Sequence, residues 1–107
     1  MNNSEAGAEK APIPRITSHH VDACIVSSTY TTLPSGKTVI CELTLVNGFT
    51  VIGEAYVVNH ADFKESIGRK VSYENARKKV YEMEAYLLHQ RLHEEAGGTD
   101  RAYHHCG

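Results

Sequence analysis

The dipeptide Asn47-Gly48, set between two runs of β-branched and apolar residues, constrains this chain more than any other feature. A type I′ turn needs positive φ at both central positions, and Asn-Gly is well suited to supply it, so the segment predicts a two-residue hairpin. Thr38 to Val46 enters the turn as one strand and Phe49 to Val58 leaves it as the next. Such a turn pairs Val46 with Phe49, Leu45 with Thr50, Thr44 with Val51, Leu43 with Ile52 and Ile40 with Ala55. In that register Glu42 faces Gly53 and Glu54 faces Cys41, so the two carboxylates point to opposite faces and cannot form an acid–base dyad. One face carries Val39, Leu43 and Ile52; the other carries Ile40, Val46, Phe49, Val51 and Val57. Apolar residues on both faces predict a sheet covered on both sides, by helices on one and by another subunit on the other. Gly53 interrupts the last strand and marks either a bulge or a close approach of another backbone.

A further strand signal precedes the hairpin. Ser28 to Leu33 is rich in β-branched residues and runs into the turn Pro34-Ser35-Gly36-Lys37. Upstream, Thr17 or Ser18 offers an N-cap, and Val21, Cys24 and Ile25 recur at helical spacing, predicting a short helix over about 18–27. From about Ala61 to Ala96 the pattern is helical again. Phe63, Ile67 and Val71 share a face continued by Tyr81, Ala85, Leu88 and Leu92, beside a stripe of Ala76, Val80, Met83 and Leu87. Gly68 is the weak point at which this helix can break or kink, and Gly97-Gly98 ends it. Two apolar stripes exceed what a three-stranded sheet can cover, a second hint of self-association. The expected fold is α+β: a short N-terminal helix, a three-stranded antiparallel meander and a long C-terminal helix. Residues 15–96 form the single domain, between a flexible tail at 1–14 and a flexible His-rich tail at 97–107.

At 107 residues the chain has room for one modest core. No apolar run approaches the roughly 20 residues that cross a bilayer. Met1-Asn2-Asn3-Ser4-Glu5 has no basic start or apolar stretch of a secretory signal, so the expected location is the cytoplasm in which the chain is made. Cys24, Cys41 and Cys106 are odd in number and widely spaced, which points to reduced thiols, the first two as small core residues. A net charge of -2 and a pI of 6.4 leave no general basic field for nucleic acid, so any polyanion site must be local.

Gly36-Lys37-Thr38 resembles the end of a phosphate loop, but a strand follows where a helix is required, and a hairpin turn is the better reading. Lys37 can still reach a phosphate as a lone charge. His89 and His93 stand one helical turn apart, with His104, His105 and Cys106 in the tail. That set has metal-ligand character, yet no Cys-x-x-Cys pair anchors it, and a polar chain end is the plainer reading, so no metal or other cofactor is assigned. No nucleophile, base and acid stand in a diagnostic context, and a non-catalytic role is expected. Arg69, Lys70, Arg77, Lys78 and Lys79 concentrate positive charge on the long helix, interleaved with Glu65, Glu74, Glu82 and Glu84. The plain reading is a solvated face laced with i, i+4 ion pairs. The sharper one is a phosphate-binding patch of Lys37, Arg69, Lys70 and Arg77, with Tyr30 or Tyr73 to stack and Asn75 or Glu54 to read a base edge.

The run Cys41-Glu42-Leu43-Thr44-Leu45-Val46-Asn47-Gly48-Phe49-Thr50-Val51-Ile52-Gly53-Glu54 resembles the hairpin of a family of small tailed-phage proteins, the gene 49/gene 66 family of N4- and Sf6-type phages. Ile67-Gly68-Arg69-Lys70, Glu74-Asn75-Ala76 and Tyr86-Leu87-Leu88 are similar to that family's helix, and Ile16-Thr17 through Val26 also fits. The likeness covers about residues 15–92. Tyr81 stands where the family often has Trp, and Ala85 where it has Gly; both read as packing variation. The resemblance implies an accessory protein in the host cytoplasm that counters host defence. The role it suggests is an oligomeric, non-catalytic sponge, of the anti-CBASS type, for a cyclic di- or trinucleotide immune signal. A protein–protein inhibitor of a host enzyme, acting through the long helix or a sheet edge, is the alternative, followed by a signal-degrading enzyme.

Overall fold

The computed structural model describes residues 14–97. The tails expected at 1–14 and 97–107, with His104, His105 and Cys106, lie outside the described residues except for Pro14 and Gly97. In chain order the elements are α1 (Ser18–Cys24), β1 (Ile25–Thr32), β2 (Thr38–Leu45), β3 (Thr50–Tyr56), a 3₁₀ turn at His60–Asp62, and α2 (Glu65–Glu95). The strands form an antiparallel meander in the order β1-β2-β3, and α2 lies against one face of it. This is the α+β architecture expected from the sequence pattern.

Thr17 caps α1, its Oγ1 accepting from His20 N at 3.0 Å. The helix stops at Cys24, earlier than its apolar spacing suggests, because Ile25 is already extended and pairs with Leu45 in the sheet. Val46 N donates to Cys24 O at 2.9 Å, tying this junction to the hairpin end.

The hairpin closes on three residues, not two. Leu45 N donates to Phe49 O and Gly48 N donates to Leu45 O, both at 2.8 Å. Gly48 takes a left-handed φ of 90°, and Asn47 Oδ1 accepts from Phe49 N at 3.0 Å. Asn-Gly serves equally well here, with glycine as the left-handed residue that closes a three-residue loop. The pairing therefore slips by one residue from the expected register: Thr44 faces Thr50, Leu43 faces Val51, Cys41 faces Gly53 and Ile40 faces Glu54.

That slip reverses β3 relative to β2. Val39, Cys41, Leu43 and Leu45 now share a face with Val51 and Ala55, and all are buried. Glu42 and Glu54 fall together on the opposite, exposed face, beside Ile40 and Ile52. Burial alternates strictly along β3, so the chain by itself covers one face of the sheet and leaves the other open.

Gly53 sits where α2 meets the sheet. A Cβ there would lie 2.7 Å from Ala76 Cα and closer still to Ala76 N and Ser72 O, so helix backbone rests directly on strand backbone. Gly53 marks a close approach, not a bulge. Gly68, Ser72, Ala76 and Val80 form the buried stripe of α2, small side chains at four-residue spacing that permit the approach. At Gly68 an added Cβ would lie 2.7 Å from Val39 Cγ2; the glycine makes room for a core valine, and α2 runs through it unbroken. The helix begins at Glu65, after a 3₁₀ turn in which Asn59 Oδ1 accepts from Ala61 N. The core joins Val21 of α1 to Cys41, Leu43, Leu45, Val51, Ala76 and Val80. Past Val80 none of the described residues of α2 is buried, and Tyr86 and Leu87 are more than half exposed.

Candidate functional site

The residues expected to bind a ligand lie on different sides of α2. Residues 69, 73 and 77 recur every fourth position and look toward β1 and α1. There the Arg69 guanidinium lies over the Tyr30 ring, 4.8 Å from its centroid. Tyr73 is half-buried, and burial raises its phenol above the ordinary value. Arg77 stands one turn further on. Its Nε donates to Asp22 Oδ1 at 2.8 Å, and its Nη2 donates to Ser18 O and Ser18 Oγ at 3.0 and 2.8 Å. The hydrogen bond from Arg77 holds the Asp22 carboxyl below its usual value, and Asp22 in turn raises the guanidinium. Arg77 is thus a clamp between α1 and α2, with most of its donors already in use. Lys70 lies outside this strip and donates to Glu74 Oε2 at 2.9 Å, the i, i+4 pair of a solvated face.

Asn75 and Glu54 meet on the other flank, along β3. The Asn75 amide donates to the Glu54 backbone carbonyl at 2.7 Å, and Lys79 Nζ donates to the Ile52 carbonyl at 2.6 Å. Both carbonyls belong to β3, at the edge of the sheet. The pair occupies two carbonyls of that edge and so blunts it against pairing with another strand. The Glu54 side chain is exposed. Lys37 stands in the β1–β2 turn, where its N donates to Ser35 Oγ and its carbonyl accepts from Val57 N.

Among the eight, the closest grouping is therefore Tyr30, Arg69, Tyr73 and Arg77. It is an open strip, not an enclosed pocket. A pit between β3, the 3₁₀ turn and the start of α2, lined by Ala55, Val57, Phe63, Ile67 and Val71, holds about 100 Å³. Small-molecule sites run to roughly 300–1,000 Å³, so that pit is too small for a dinucleotide. The groove between α1 and α2 is larger, at 340 Å³, and is lined by Ser18, Val21, Glu74, Arg77, Lys78 and Tyr81.

A family described as "Phage protein (N4 Gp49/phage Sf6 gene 66) family" matches residues 16–92, from the residue before the α1 cap through nearly all of α2. The chain belongs to this phage protein family. No curated protein and no solved structure matches it. The match takes in the whole described fold except the last turn of α2, so both flanks of α2 lie within the family region.

Sequence reasoning missed one grouping. His20 and Cys24, one turn apart on α1, meet Glu84 of α2, and their ligand atoms all lie within 4.8 Å of one another. His20 Nε2 lies 2.9 Å from Glu84 Oε1. Burial first, and the Glu84 carboxylate second, push the Cys24 thiol up. The i, i+4 spacing of His20 and Cys24 was readable; a carboxylate 64 positions from His20 was not. His89 and His93 are both exposed on the last turns of α2, and the tail residues suggested as their partners lie outside the described residues. No helix among the described residues is long and apolar enough to cross a membrane.

Proposed function

We propose that this phage protein binds and sequesters a cyclic di- or trinucleotide immune signal in the host cytoplasm, without chemistry, as a homo-oligomer. The observation that carries the reading is the Arg69–Tyr30 stack. A planar cation over an aromatic face offers phosphate donors and a stacking surface at one place. Arg69 remains half-exposed, and its contact with Glu65 is long, at 3.4 Å. Tyr73 extends the aromatic surface, while Arg77 acts chiefly by holding α1 in place.

An open strip does not enclose a nucleotide, so a second copy completes the site. The uncovered sheet face, with Ile52 and Tyr56 exposed, and the uncovered end of α2 provide surface for that association. The test is a thermal-shift panel of cyclic di- and trinucleotides, with released ligand checked by chromatography. Binding with intact ligand recovered is expected. Arg69→Ala and Tyr30→Ala should each weaken it at least tenfold, about 1.4 kcal/mol. Unchanged affinity in both variants would remove the strip, and altered ligand would make the protein an enzyme.

Inhibition of a host protein is the second reading, favoured by the exposed Tyr86 and Leu87 on α2. It predicts indifference to the nucleotide panel and loss of partner capture in Leu87→Glu.

A further inference from the structure

We propose that His20, Cys24 and Glu84 form a zinc site that staples α1 to α2. Three different ligand chemistries, imidazole, thiol and carboxylate, arrive at one point from two helices, with every pair of ligand atoms within 4.8 Å. Tetrahedral zinc, with bonds of about 2.0–2.3 Å, asks for neighbouring ligand atoms about 3.3–3.6 Å apart. The ligand atoms would have to draw together by at most about 1.5 Å to meet that geometry. The His20–Glu84 hydrogen bond already holds two of the three within that reach, at 2.9 Å.

A histidine–carboxylate pair at a helix contact needs no sulfur. What makes this pair a ligand set is that Cys24 reaches the same point from the next turn of α1. On binding, the Cys24 S–H proton passes to solvent, sulfur and the Glu84 oxygen become anionic ligands, and neutral His20 supplies a nitrogen lone pair. The three side chains then carry two negative charges, which balance Zn²⁺. A mixed nitrogen, sulfur and oxygen set suits zinc and excludes calcium and magnesium, which take oxygen ligands. Water fills the fourth position, since the His20 side chain is 46% exposed and the site opens to solvent on that side.

The position of the site gives it a structural consequence. Among the described residues two polar ties hold α1 on α2: Arg77 with Ser18 and Asp22, and, further along α2, Glu84 with His20. Zinc would convert the second from a hydrogen bond into coordination and fix the α1–β1 junction. The inference is independent of the nucleotide reading, because it concerns other side chains and a different ligand.

The experiment is a Co²⁺ and Zn²⁺ titration of the chelator-stripped full-length protein, beside a full-length His104→Asn/His105→Asn/Cys106→Ser variant that removes the competing tail. One equivalent of Co²⁺ should bind both proteins with a thiolate-to-metal charge-transfer band, and Zn²⁺ should displace it. Cys24→Ser should abolish the band. His20→Asn and Glu84→Gln should weaken zinc at least tenfold, since even outer-shell partners are worth about that much. Zinc should raise the melting temperature of the tail variant and leave that of its Cys24→Ser derivative unmoved. His20→Asn, an exposed change, keeps the test usable if Cys24→Ser folds poorly. A band that follows Cys106, a band unaffected by Cys24→Ser, or no band in either protein would overturn the proposal.

Discussion

The two flanks of α2 are held by different means. On the β3 flank the helix backbone touches strand backbone at Gly53, and Asn75 and Lys79 bond to the edge carbonyls of β3. On the β1 flank the contacts pass through long side chains: Arg69 on Tyr30, Arg77 on Asp22, and Glu84 on His20. Backbone contact of the first kind is rigid and leaves no room to adapt, because interiors are close-packed. Side-chain bridges at a partly exposed surface are adjustable and individually weak. The chain thus has a fixed flank that sets the helix position and a yielding flank on which polar, ligand-competent groups collect. The sheet edges follow the same division: β3 is capped, whereas β1 presents Ser27, Ser28, Thr29, Thr31 and Thr32 with no charged residue along the strand.

Gly53→Ala should break the fixed flank and have the largest effect. Its new methyl group meets helix backbone, which cannot rotate away, and a loss of about 3 kcal/mol is expected in urea unfolding. Stability equal to that of the natural chain would show that the backbone contact is looser than described.

Removing the cap on the same flank should cost less. Asn75→Ala with Lys79→Ala gives up two hydrogen bonds to exposed carbonyls, about 1 kcal/mol together. Because it also uncovers the β3 edge, concentration-dependent association should rise in analytical ultracentrifugation. No change in association would mean the edge is protected by something else.

On the yielding flank, Arg77→Ala should leave the sheet intact and free α1. Hydrogen exchange should accelerate in Ser18–Cys24 while β2 amides keep their protection. The Asp22 carboxyl is held low by Arg77, so its contribution is complete above the ordinary carboxylate value, about 3.9. It is lost as pH falls through the lower folded value. Asp22→Asn should therefore lower stability near neutrality, flatten the acid limb of the profile and change little below the folded value.

Arg69→Ala should have the smallest effect on stability, within about 0.5 kcal/mol, as for an exposed side chain. The same variant is expected to show the clearest loss of nucleotide binding. A large stability loss would place Arg69 in the scaffold instead.

Much of this arrangement was legible in the sequence. The order of helix, three strands and helix follows from local chemistry, which also narrowed the cap to Thr17 or Ser18 and Gly53 to a bulge or a close approach, the structure deciding each. The register did not, because Asn47-Gly48 satisfies two loop lengths and both leave apolar residues on each strand. The observed pairing buries Leu43 with Val51 against α2, a choice that depends on where the helix lies. The basic run on α2 was visible as charge, but its division was not. Arg77 is occupied by Asp22, 55 positions away in the chain, while Lys70 meets only its helical neighbour Glu74.

Turn chemistry, capping and hydrophobic period act over a few residues, so they determined which segments became helix and strand. Registry, the capped β3 edge, the Arg69–Tyr30 stack and the meeting of His20 and Cys24 with Glu84 were decided only by tertiary packing. The physical reason is that small residues on α2 and Gly53 on β3 let the two backbones touch. That single contact sets where every other side chain of the helix arrives.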